Sequence, residues 1–408
     1  MRQANVAFQY PGFRYFMTAR FLTTTSSEMQ AVAIGWQVYN LTHSAFDLGL
    51  VGLAQFLPGI VLFLVVGHAA DRWPRQRILQ LCYAAFALNS LLLLELTMHG
   101  LHSVWPVYAA LLMNGTVRAF NMPTSQAFLP QLVRPGDFPN AVAWASSIFQ
   151  AATITGPVIG GLLYGVMGSP VAVYGGAAVA NVLALTLISR IRVEVPQRAR
   201  GVASAGMVLD GLRYIWREKT ILGSISLDLF AVLLGGAVAL LPIYAKEILL
   251  VGTTGLGILR AAPGLGAVVM AIVVAYRPLT RNAGAAMFAS VFGFGVCTVI
   301  FGLSRNLALS LIALVLMGGF DMVSVIIRHT VIQLGTPDEM RGRVSSVNMV
   351  FIGASNEVGQ FESGVTAAWL GAVPAVVAGG IGTMLVVVAW MSLFPALRRV
   401  DKLPTGSH

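Results

Sequence analysis

Apolar residues run along this chain in stretches of about twenty, separated at regular intervals by short polar connections. A helix of ~20 apolar residues matches the ~30 Å hydrocarbon core of a bilayer. The pattern predicts twelve helical spans, at 13–40, 46–71, 77–97, 103–131, 138–165, 169–190, 219–247, 252–276, 284–303, 307–334, 342–367 and 371–396. One connection is long, residues 191–218. Within it Val208, Leu209, Leu212, Ile215 and Trp216 recur at helical spacing, with Asp210, Arg213 and Arg217 on the other face. Two readings fit: an amphipathic helix on the cytoplasmic leaflet, its arginines toward anionic lipid, or a plain linker helix.

The pattern also repeats at half the chain length. A shift of 203 residues carries Gly156, Gly161, Gly168 and Gly176 onto Gly359, Gly364, Gly371 and Gly379, and Arg118 onto Asp321. Near the second span a shift of 205 carries Gly52, Pro58-Gly59 and Arg72 onto Gly257, Pro263-Gly264 and Arg277. The expected organisation is a six-helix bundle over 1–190, a cytoplasmic linker over 191–218 and a second six-helix bundle over 219–408. Two parallel halves with a site between them near the midplane is a transporter plan.

Composition and charge sharpen this. The chain is 57% apolar and only 10% charged, against roughly 25% charged in soluble domains. That excludes an ordinary soluble enzyme and a disordered chain. A net charge of +10 would suggest nucleic acid in a soluble protein, but the distribution decides otherwise. Twenty of the 26 Lys and Arg fall at the N-terminus, the even-to-odd connections or the C-terminus, and only Lys246 and Arg305 on the other side. The positive-inside rule then makes both termini cytoplasmic. No nucleic-acid partner is expected, and no signal peptide is seen. Cys82 and Cys297 sit in apolar runs and form no metal spacing. No phosphate loop, H-E-x-x-H or G-x-S-x-G occurs, so no enzyme activity, cofactor or metal is expected.

Two motifs carry a family resemblance. Gly67-His68-Ala69-Ala70-Asp71-Arg72-Trp73-Pro74-Arg75-Gln76-Arg77 resembles the loop motif of the major facilitator superfamily, G-x-x-x-D-R-x-G-x-R-R, with Pro74 for the second glycine and Gln76 at one basic position. The resemblance implies a cytoplasmic gate built on Asp71 with Gly67, Arg72, Arg75 and Arg77. Gly156-Pro157 followed by Gly160-Gly161 resembles the antiporter element of that superfamily, G-P-x-x-G-G, with Ala152 where an earlier glycine is expected. Plain small-residue packing is the other reading of these glycines. Further runs resemble the enterobactin-exporter branch, which is similar to macrolide-efflux proteins: Leu209 to Glu218, Leu240 to Ala245, Leu259 to Gly264, Arg341 to Ser345 and Asn356 to Gly364.

Charges inside spans are costly and normally face the bundle interior. The first span holds Arg20 and Glu28. The fourth holds Asn114, Arg118 and Asn121 on one stripe, the seventh Asp228 and the eighth Arg260. The tenth holds Asp321, Ser324 and Arg328 on one stripe. The eleventh holds Asn348, Ser355 and Glu362, with Asn356, Glu357 and Gln360 displaced around it. The resemblance implies that spans 1, 4, 7 and 10 line a central cavity. Glu28, Arg118, Asp228, Asp321, Arg328 and Asn114 are the candidates there, with Asn356, Glu357 and Glu362 as a secondary polar site. Glu28 or Asp228 is expected to carry a proton and Arg118 to tune it; a fixed pair of Arg118 with Asp321 is the structural alternative. Trp36, Tyr39, Trp144 and Phe149 are either stacking residues or interface anchors. The expected function is export of a siderophore, drug or other small amphipathic compound from the cytoplasm across a bacterial inner membrane. It runs by proton antiport and alternating access in a monomer surrounded by membrane lipid. An uncoupled carrier or lipid flippase of the same fold is the alternative.

Overall fold

The computed structural model describes residues 5–62, 65–66, 73–192, 205–277 and 282–401. The principal helices are α1 (Pro11–Thr42), α2 (Ala45–Val61), α3 (Arg75–Met98), α4 (Trp105–Phe128), α5 (Phe138–Met167) and α6 (Val171–Ser189). After these come α7 (Ala205–Arg217), α8 (Lys219–Leu234), α9 (Gly252–Tyr276), α10 (Ala283–Leu303), α11 (Leu307–Gly335), α12 (Asp338–Leu370) and α13 (Ala372–Leu393). No strand occurs among the described residues. Local chemistry sets several ends. Proline occupies the first turn of α1, α4 and α5, where its missing N–H costs nothing. The Asn306 side chain accepts from the Ala308 and Leu309 amides at the start of α11. Gly168 closes α5 in the left-handed region, with φ 64°.

Among the described residues eight helices are long and apolar enough to cross a membrane. The predicted spans outside that set are α1, α2, α4 and α12. α2 is described only in part. The other three have the length: the 24 residues of α4 reach about 36 Å. What they lack is apolar composition, because these helices carry the Thr, Ser, Asn and charged positions.

By contacts the chain forms two units that depart from its sequence halves at two places. The first contains residues 1–43, 54–202 and 252–261; the second contains 44–53, 203–251 and 262–408. In the first, α1 packs on α5 and α6, and α3 packs on α6 and α4. In the second, α8 packs on α12 and α13, and α10 packs on α13 and α11. Shifted by six spans, these are the same pairs. The repeat seen in the sequence is therefore a repeat of packing partners. Each unit has its own core, around Phe13, Phe16, Tyr83 and Phe128 in the first and Phe288, Ile327, Val344 and Leu397 in the second. Cys82 and Cys297 are buried and unpaired.

Two expectations change. The continuous helix expected over 219–247 breaks after Leu234. A 3-10 turn (Ala237–Leu240), one α-turn (Leu241–Ile243) and a π-turn (Tyr244–Ile248) follow. Gly235-Gly236 lies at the break, where a side chain on Gly236 would meet the Gly359 carbonyl at 2.7 Å and one on Gly235 the Phe294 ring at 2.5 Å. The amphipathic helix forms as α7, and its docked face is protein-bound: Ile215 is buried, Gly211 sits against the Arg343 carbonyl, and Tyr214 donates to the Gly335 carbonyl at 3.0 Å. Asp210 pairs with Arg343 at 3.1 Å. Leu209 and Trp216 remain exposed on the other face.

Lipid tails offer no hydrophobic drive between helices, so close backbone approach must supply the packing. In the second unit α9 and α11 cross where Gly266 meets the Val315 carbonyl and Gly318 meets the Pro263 carbonyl. Gly318→Val is expected to cost about 1–3 kcal/mol or more through overpacking. Gly353→Ala on α12, where nothing lies within 4 Å of an added methyl, is expected to be tolerated. Thermal unfolding of the two purified variants in detergent checks the contrast.

Candidate functional site

Glycines position the charged groups of the first unit. On α5, Gly156 rests on α1: an added Cβ would lie 2.6 Å from Cβ of Glu28 and 2.9 Å from the Thr25 carbonyl. Gly160 faces the Met29 backbone at 2.7 Å. Gly161 turns to the segment 252–261, where an added Cβ would meet the Thr253 carbonyl at 2.5 Å. Gly257 packs against the Pro157 carbonyl in return. The motif Gly156, Pro157, Gly160, Gly161 therefore seats two helices at once, α1 on one face and the start of α9 on the other. Each carries one member of an ion pair: Arg260 Nε lies 3.7 Å from Glu28 Oε2, with side chains 24% and 30% exposed. Both groups are therefore only partly buried. The sequence singled out Glu28 but gave Arg260 no partner. The signal that would have found it is the repeat: Gly257 is the counterpart of Gly52, and a close contact at one implies a close contact at the other.

The second unit confirms that relation. Gly52 packs against the Glu357 carbonyl and Gln360 of α12, and Gly49 against the Phe361 carbonyl and Gly364. The counterpart of Gly364 is Gly161. The repeat-related glycines thus make repeat-related contacts. Around them the polar groups of α12 bond within their own helix: Asn356 donates to the Ile352 carbonyl at 2.9 Å, and Glu362 accepts from Thr366 at 2.7 Å. Gln360 lies 3.5 Å from a Glu357 carboxylate oxygen.

A buried charge cluster joins α8 and α11. Asp228 pairs with Arg328, and both are nearly fully buried, at 8% and 3% exposure. Asp228 sits mid-helix in α8. One face of the cluster opens on a cavity of about 10 Å³, lined by Asp228, Asp321 and Ser324 with Phe294 and Phe320. That is space for roughly one water. Ser324 Oγ and Arg328 Nε are buried without a hydrogen-bond partner among the described residues. No ion pair to Asp321 is found among them either. The set therefore holds two acids and one base. With Asp321 protonated it is neutral; with Asp321 ionised it carries one net negative charge inside the membrane.

Arg118 of α4 donates to Gln55 Oε1 at 3.0 Å within the first unit. Asn114 is half-buried one turn before it. Of the gating-loop residues, Gly67, Asp71 and Arg72 lie outside the described residues. Arg75 donates to the Ala127 carbonyl at 2.6 Å, and Gln76 to the Ile188 and Ile191 carbonyls at 2.9 and 2.7 Å. The start of α3 thus caps the ends of α4 and α6, where carbonyls lack helical partners. Gln76, which departs from the family pattern, does part of that capping. Among the aromatic candidates, Trp144 packs edge-on against Phe8 at 4.9 Å, and Phe149 carries the Arg20 guanidinium 5.8 Å above its ring. Tyr39 is buried. At the entry to α1, Tyr10 donates to Asp137 at 2.6 Å, and that hydrogen bond pushes the phenol above its ordinary value.

Comparison with known proteins agrees with this architecture. The family described as transmembrane secretion effector matches residues 4–407. The enterobactin exporter EntS of Shigella boydii serotype 4 is 26% identical over 97% of this chain and 94% of its own length, and that of Escherichia coli O81 is equally similar. Among solved structures, the nucleoside transporter NupG superposes with a TM-score of 0.73 at 14% identity, over 94% of this chain and 99% of its own. The D-xylose-proton symporter gives 0.71 at 12% identity, over 95% and 99%. At such identities the structural likeness concerns the fold.

Removing one member of a buried ion pair leaves the other without compensation, at a cost of about 3–5 kcal/mol. Arg328→Leu is therefore expected to lower the unfolding temperature sharply. Adding Asp228→Asn to it is expected to recover most of the loss. Thermal unfolding of the single and double variants in detergent measures this.

Proposed function

Because the chain belongs to the transmembrane secretion effector family of the major facilitator superfamily, we propose that it exports a small amphipathic compound, siderophore-like or drug-like, in exchange for protons. It is a multi-pass membrane protein and a transporter rather than an enzyme. The finer reading places it in a bacterial inner membrane as a monomer, with both termini cytoplasmic and lipid around its spans. Substrate enters from the cytoplasm or inner leaflet and is carried across by alternating access. The siderophore class is suggested by the relatives whose names give enterobactin as their cargo.

The observation that carries the proton-coupled reading is the Asp228–Arg328 pair with Asp321 beside it. Asp228 already has a cation, and Glu28 has Arg260. Asp321 is the acid whose charge changes when a proton arrives, so it is the carrier in this reading, with Glu28 as the second candidate. Ser324 Oγ, without a partner among the described residues and on the same cavity, offers a hydroxyl to hold a water or pass a proton. Arg118, bonded to Gln55, serves substrate binding in this scheme. Antiport requires substrate and proton to occupy the machinery alternately. A substrate donor group that reaches Asp321 would displace its proton.

Reconstitution into vesicles with a trapped pH dye tests this. Catechol siderophores, macrolides and cationic dyes are added in turn under an imposed proton gradient. Substrate-dependent proton flux is expected, and Asp321→Asn is expected to abolish it while substrate still binds. Unchanged flux in Asp321→Asn with loss in Glu28→Gln moves the carrier to α1. Substrate movement without proton flux in the native protein defeats the antiport reading and favours an uncoupled carrier or flippase.

A further inference from the structure

A groove of the first unit lies away from both charge clusters. It has a volume of about 740 Å³ and runs between the start of α3 and the end of α6. Its wall is apolar, formed by Leu81, Ala84 and Leu185. Its rim carries Trp73, Arg77 and Gln80, the last donating to Ser189 Oγ at 3.3 Å.

Four observations bear on its occupant. The neighbours of Arg77 in the loop motif are already engaged, Arg75 on the Ala127 carbonyl and Gln76 on the carbonyls ending α6. Arg77 has no side-chain partner among the described residues, so its charge is left facing the groove. Trp73, a large apolar side chain, is 55% exposed. Below it, Leu81 of the groove wall and Leu88, seven residues on, are both exposed, so the apolar wall belongs to an outer apolar stripe of α3. In a multi-pass membrane protein that stripe is covered by acyl chains. The polar end combines a cation, an amphipathic indole and amide and hydroxyl groups. The apolar end opens to hydrocarbon. That gradient matches a phospholipid, with its phosphate at Arg77 and its chain along Leu81.

We propose that the groove between α3 and α6 is a binding site for an anionic phospholipid, held by Arg77, Trp73 and Gln80. The role is independent of what the protein transports. It also gives this arginine of the loop motif a task other than gating: it fixes the start of α3, which in turn caps α4 and α6.

The test uses the full chain in phosphatidylcholine vesicles containing an equal mole fraction of either brominated phosphatidylglycerol or brominated phosphatidylcholine. Bromine quenches indole fluorescence on contact, and the difference between native protein and Trp73→Phe isolates Trp73 from the other tryptophans. Quenching of the Trp73 component is expected with both lipids. It should be about fivefold more effective with the anionic one, as expected for one arginine near a charged surface. Arg77→Gln should abolish that preference but keep the quenching. Ala84→Phe, which fills the groove without touching any charge, should reduce quenching by either lipid. No quenching of the Trp73 component would overturn the proposal, because the groove would then hold no lipid. Equal quenching by both lipids in the native protein would overturn it too, since Arg77 would then select no anion.

Discussion

Helices in a bilayer cannot be driven together by hiding apolar surface, since the lipid around them is equally apolar. They must approach closely enough for backbone contact and interhelical polar bonds to do the work. In this chain glycine provides that approach, and other features follow from where the glycines stand. Gly156 and Gly160 admit α1, while Gly161 admits the start of α9. Together they place Glu28 opposite Arg260. Gly266 and Gly318 bring α9 against α11 in the second unit. A side chain at any of these positions would push a helix away, and at Gly156 or Gly161 it would also part Glu28 from Arg260.

Charge inside the membrane is the second constraint. Each unit solves it locally. Glu28 with Arg260 and Asp228 with Arg328 are both contained within single units. The first pair is loose and partly exposed, and the second is tight and buried. The energetics differ accordingly: a partly solvated pair is weakly held, whereas breaking a buried one leaves an uncompensated charge. Asp321 stands beside the buried pair as an additional acid, and a change in its proton occupancy changes the net charge of the whole cluster.

The twelve-span pattern, the all-helical class and the half-length repeat were legible in the sequence, because hydrophobic run length and glycine spacing are local quantities. The loop and antiporter motifs led to the right superfamily. The sequence was less informative about interruptions: the break at Gly235-Gly236 hides inside a run of uniform hydropathy. It depends on Gly359 and Phe294 lying close by, and neither is near in sequence. Likewise the amphipathic pattern of α7 was readable, while the choice of Arg343 and Gly335 as its docking partners was not.

By itself, then, the sequence determined that the chain spans a membrane, which end is basic, that its halves share one plan and which ionisable groups sit inside spans. Tertiary structure decided who pairs with whom. Arg260 took Glu28, Arg328 took Asp228 and Arg118 took Gln55. It also decided which arginines of the loop motif cap a helix and which face a groove. The reason is physical: burial cost is a property of one residue and its segment, so it can be read in one dimension. Pairing depends on distances between side chains set by helix crossings far apart in the chain, and those exist only once the helices have packed.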